Sequence, residues 1–149
     1  MLKIYIWERQ VYPDFREANL CRKDIQKIVN KLVRHFKTRP IDRVYFSGYR
    51  TGAVYYSSSD TIGIGRTGYN LGTVCHEFAH HLTDQRWGAG HHHNRKFKRE
   101  LKRVYTYAKR WLPEKSTPQI EYEQSSQVEP TIESARKCKL TLKPKEVQR

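Results

Sequence analysis

A chain of 149 residues has the length of one domain and is long enough to enclose a core. Its 37% hydrophobic and 12% aromatic residues, against 30% charged ones, argue against both a membrane-spanning chain and a wholly disordered one. A formal net charge of +14 excludes an acidic, solvating protein and points to a polyanionic partner.

In chain order, residues 2–7 alternate in polarity and read as a first strand. Residues 1–9 hold no 7–15-residue apolar run with a cleavage site, so a leader is not expected and the expected compartment is the cytoplasm. Pro13 and Asp14 mark a turn. Between about 18 and 37, Ile25, Ile28, Val29, Leu32, Val33 and Phe36 fall on one face of an amphipathic helix, which Pro40 closes. Three short β-type runs follow, at Arg43–Ser47, 53–57 and Thr61–Gly65, and the turns between them suit an antiparallel meander. From 71 to about 84 the period is again helical, with Val74, Phe78 and Leu82 as the core-facing stripe. Residues 87–90, Trp-Gly-Ala-Gly, read as a loop, and Asn94 caps a last helix bearing Phe97, Leu101, Val104, Ala108 and Trp111 or Leu112. Pro113 ends it. Residues 114–149 are poor in apolar groups and read as a mobile tail, with 138–142 as a further short strand. The expected organisation is an α+β domain over 1–113 followed by that tail.

The run His76-Glu77-Phe78-Ala79-His80 falls on the second of these segments to carry a core stripe. Residues four apart on a helix lie ~40° apart, close enough for two imidazoles to reach one metal ion. Glu77, on the adjacent flank, is placed to act as general base toward a water on that metal. Two imidazoles on a helix favour zinc over magnesium or manganese. A catalytic zinc takes three protein ligands, and the third has three candidates, His91, His92 and His93. His93 is favoured because it lies at the mouth of the last helix, four residues before Phe97. His81 points ~100° away from His80 and is not expected to share its metal. Asp84 reads as a surface carboxylate near the end of its helix, with orientation of a ligand as the alternative. Tyr69 and Asn70, just before the helix, are within reach of an oxyanion only as weaker candidates. The strand Thr61–Gly65 offers an edge on which an extended peptide can dock.

The run from His76 to Leu82, a loop of about a dozen residues, and then His93-Asn-Arg-Lys-Phe97-Lys resembles the SprT-like metallopeptidases and their small single-domain zincin relatives. The resemblance covers about 60–112 well and 1–59 loosely. It implies a zincin-like fold, zinc held by His76, His80 and His93, a catalytic Glu77, and proteolysis of proteins associated with DNA. Asn94 stands where the family's second motif has glycine, and no C-terminal zinc ribbon is present.

Nine basic residues and a single acid, Glu100, occupy 86–111, the footprint expected of a nucleic-acid or other polyanion partner, with a solubilising surface as the alternative reading. Cys21, Cys75 and Cys138 form no Cys-x-x-Cys pair and read as free thiols, Cys75 as a buried small residue. Together these observations predict a monomeric zinc metallopeptidase acting on protein or peptide, with DNA as a further partner and no membrane. The alternatives are a metal hydrolase of a non-peptide substrate and a basic nucleic-acid-binding module with non-catalytic zinc.

Overall fold

The structure is a computed structural model that describes residues 2–49 and 51–112, all within one unit spanning Met1–Leu112. The tail 114–149, its expected strand at 138–142 and Cys138 lie outside the described residues. Among the described residues the architecture is α+β, with five helices and one three-stranded mixed sheet. No helix among the described residues is long and apolar enough to cross a membrane.

The N-terminal segment is a helix, α1 (Leu2–Val11), where the sequence predicts a strand. Its inward positions are Ile4 and Glu8, one turn apart, with Tyr5 and Tyr12 beside them, while Ile6 is 46% exposed. Alternation over six residues fits both periods. Burial at i, i+1, i+4 and i+8 is helical, and the described sheet leaves this segment no strand partner. A short helix, α2 (Pro13–Glu17), occupies the expected turn, with Pro13 in its first turn and Phe15 buried. Helix α3 (Arg22–Phe36) buries the predicted stripe Ile25, Ile28, Val29 and Leu32. It stops at Lys37, whose left-handed backbone (φ 52°) donates its N–H to the Val33 carbonyl, three residues before Pro40.

Strands β1 (Arg43–Ser47), β2 (Ala53–Tyr56) and β3 (Thr61–Gly65) lie where expected, but their order is β1-β3-β2. β1 runs parallel to β3 and β2 antiparallel to it, so the sheet is not the predicted meander, nor mostly antiparallel. Gly63 makes this order possible. The Tyr45 ring lies across it so closely that a Cβ there would sit 2.6 Å from the hydroxyl oxygen. The same hydroxyl reaches that of Tyr56 on β2 at 3.1 Å, linking the two outer strands across the central one. Because β3 is paired on both sides, it offers no docking edge, and that expectation passes to β2.

Helix α4 (Leu71–Trp87) runs through the middle of the fold and packs against α2, α3, α5 and β2. Asn70 caps it through Oδ1, which accepts from the Thr73 N–H at 2.9 Å. Every residue from 71 to 83 except Thr73 is buried, so Val74, Phe78 and Leu82 are only part of its contact surface. Gly88 ends it with φ 79°. Helix α5 (Arg95–Ala108), extended by a 3₁₀ turn to Trp111, buries Phe97, Leu101, Val104, Tyr105 and Ala108 against α4.

Candidate metal centre

The placement of α4 brings its motif to the junction of α1, β2 and α5. His76 and His80 project from successive turns, and His93 arrives from the loop that α4 and α5 enclose. The Nε2 atoms of His76 and His93 lie 3.0 Å apart, and those of His80 and His93 3.2 Å apart. Nitrogens about 2 Å from one tetrahedral ion are separated by about 3.3 Å, so these two spacings suit a shared metal ion, and all three ligand atoms lie within 4.8 Å of one another. Of the three loop histidines, only His93 joins the group. His91 is engaged by Asn94 and Lys96 at 3.1 and 3.2 Å, and the His92 ring stands 5.6 Å from that of His80.

Local structure accounts for the choice of His93. Its backbone is left-handed, φ 55°, a conformation that a non-glycine residue adopts only when its surroundings hold it there. Asn94 follows as the N-cap of α5, its Oδ1 accepting from Lys96 N–H at 2.9 Å and Phe97 N–H at 3.2 Å. Asparagine at the position where the resemblance leads one to expect glycine thus fixes the helix start directly behind the histidine. Phe97 then forms the floor, its ring 4.3 Å from that of His80 and 4.9 Å from that of His93.

Electrostatics favour neutral imidazoles, the form that binds metal. Burial, together with the neighbouring His76, His93 and His92, lowers the His80 pKa to about 2. Burial and His76 lower that of His93 to about 4. Glu77 is buried beside the cage, and its carboxyl is raised to about 7, chiefly by burial, against the opposing pull of His76 and of a main-chain hydrogen bond with Tyr55 of β2. A carboxyl in that range is suited to taking up and returning a proton near neutrality.

Three residues that the sequence reading did not single out complete the centre. Glu8 of α1, 2% exposed, accepts from His76 Nδ1 at 2.9 and 3.1 Å, which makes Nδ1 the protonated nitrogen and leaves Nε2 bare toward the cage. Tyr105 of α5 donates its hydroxyl to the same carboxylate at 2.8 Å. Tyr5 stacks on His76 at 5.1 Å and meets His93 edge-on at 5.6 Å, covering the cage from the α1 side. The i, i+3 spacing of Tyr5 and Glu8 was the available signal, and the strand reading hid it.

The other sequence candidates have structural roles. His81 is fully buried, with Nδ1 at Asp60 and Nε2 at the Arg39 carbonyl, each at 3.1 Å. Asp84 is half-buried rather than on the surface, and its Oδ2 is enclosed without a hydrogen-bond partner. Asn70 is a helix cap, and the Tyr69 hydroxyl accepts from Arg22 Nε at 3.1 Å. Cys75 is buried, and burial raises its thiol well above the ordinary range. Cys21, by contrast, is exposed.

The basic stretch is partly neutralised from within. Arg86, Arg99 and Arg103 converge on the fully buried Glu100, the closest contact being Arg103 Nη1 at 2.6 Å. Lys96 and Arg99 lie over the Trp87 ring at 4.8 and 4.6 Å, and Lys98 over Trp7 at 4.3 Å.

Compared with known proteins, the chain matches no family model, no curated protein and no solved structure.

Proposed function

We propose that the chain is a zinc-dependent metallopeptidase in which His76, His80 and His93 hold the ion and Glu77 is the general base. The observation that carries this reading is the convergence of three imidazoles beside a buried carboxyl on the same helix turn. Nitrogen donors at this spacing suit zinc rather than the hard, oxygen-seeking cations. A zinc ion bound there supplies a Lewis acid and a water acidic enough to attack a carbonyl. Glu77 accepts the proton at its carboxylate and returns it to the leaving amine. A purely structural site has no need of such a base.

β2 supports a peptide as substrate. It is an edge strand among the described residues, it packs against α4, and its Tyr55 backbone touches Glu77. An extended peptide adding to that edge is brought to the strand whose main chain bonds Glu77. The resemblance to SprT-like zincins agrees with this arrangement. It also suggests DNA-associated proteins as the substrate class, with the exposed cations of 86–111 facing the polyanion. Trp87, 38% exposed beneath Lys96 and Arg99, gives that face an aromatic surface as well as charge.

The test is cleavage of a disordered protein by the zinc-loaded chain, with and without single-stranded DNA. Glu77→Gln is expected to lower the rate by about 10²–10⁴-fold while zinc stays bound. Undiminished cleavage by Glu77→Gln would refute the mechanism. DNA binding without a steep salt dependence would remove the DNA reading alone.

A further inference from the structure

We infer that Glu8, held by Tyr105, is a positioning residue for the metal centre, and that α1 is therefore part of the site rather than a cover on it. The inference rests on the zinc reading above and extends it to residues outside the histidine motif. Glu8 is almost completely buried, yet among the described residues its only ion-pair partner is His76. A carboxylate in that position is costly without a cation. Contrast Glu100, equally buried, which is met by three arginines. Glu8 is met instead by the His76 imidazole, whose other nitrogen, Nε2, lies 3.0 Å from that of His93 in the candidate metal cluster.

The hydrogen bonds give this arrangement its direction. A carboxylate can only accept, so His76 must carry its proton on Nδ1 and present Nε2 as the donor atom. The bond also restrains ring rotation. Tyr105 keeps its proton because burial and the Glu8 charge raise its pKa, so its hydroxyl remains a donor that fixes the carboxylate from α5. α1, α4 and α5 thus meet at one carboxylate. Sequence separations of 68 and 97 residues in these two bonds mean that the metal centre is complete only when the helices are docked.

Zinc affinity of the full chain, measured by competition with a chromophoric chelator, tests this directly. Glu8→Gln is expected to weaken zinc about 10–100-fold. Tyr105→Phe, which keeps the carboxylate and loses one donor, is expected to weaken it by a smaller factor. Glu100→Gln removes a buried carboxylate of purely structural role and should leave zinc affinity at the wild-type value even where it lowers the melting temperature. Nitrogen NMR of the zinc-loaded wild type supplies a readout that no variant needs to fold for: His76 should appear protonated at Nδ1 and metal-bound at Nε2. Wild-type zinc affinity in Glu8→Gln, or a His76 bound through Nδ1, would overturn the proposal while leaving the zinc reading intact. A wild type that binds no zinc overturns both.

Discussion

α4 carries two adjacent histidines, His80 and His81, with opposite fates. On one side, His80 joins His76 and His93, with the His93 Nε2 3.0 Å from that of His76 and 3.2 Å from that of His80. On the other, His81 has both ring nitrogens engaged, by Asp60 and by the Arg39 carbonyl, within a cluster that Tyr55 closes through a 2.6 Å bond to Asp60. Both regions are buried and both are polar. One is closed by carboxylate, hydroxyl and carbonyl partners; in the other, ring nitrogens face ring nitrogens. Nitrogens converging on one another suit a shared ion, so that side is the one that indicates function.

The comparison is sharpest when each side is removed in turn. His80→Ala is expected to abolish tight zinc binding, because a two-histidine remnant lacks the third ligand. Phe97→Ala removes the floor under all three rings and is expected to cost about 3–5 kcal/mol of stability, with weakened zinc binding besides. Chemical denaturation and zinc competition on the same variant separate the two effects. His81→Ala should do the reverse of His80→Ala, keeping zinc but losing about 1–3 kcal/mol because Asp60 and the Arg39 carbonyl lose a partner. If His81→Ala lost zinc and His80→Ala kept it, the assignment of the two sides would be inverted.

The smallest expected effect is pH-dependent. Partial burial alone would push the Asp60 carboxyl up, but hydrogen bonds from Tyr55 and Arg39 and the charges of His81 and Arg39 hold it below the ordinary aspartate range. A carboxyl lowered in the folded state stabilises the fold above its unfolded pKa of about 4 and loses that contribution as pH falls through the lowered value. The acid unfolding of the metal-free chain should therefore be shallower in Asp60→Asn than in wild type. An unchanged slope below about pH 4 would show that the His81 side does not depend on that charge.

The two sides also differed in how far the sequence revealed them. The His76-Glu77-His80 spacing is legible because helix geometry converts it directly into shared direction, and α3 and α5 were legible from their long apolar stripes. His93 over its neighbours was legible through Phe97 and the Asn94 cap, both local features. Glu8 was not, because its role depends on docking 68 residues away and its helix is too short for its period to be decisive. The strand order was hidden for a similar reason: Gly63 marks a close approach, but nothing in the sequence says that Tyr45 is what approaches.

The central claim, that three specific imidazoles form one zinc site, is tested most directly by titrating the metal-free chain with zinc, alongside His93→Ala and His92→Ala. The expected result is one tight equivalent in wild type and in His92→Ala and none in His93→Ala. Tight binding retained by His93→Ala, or its absence from wild type, would contradict it.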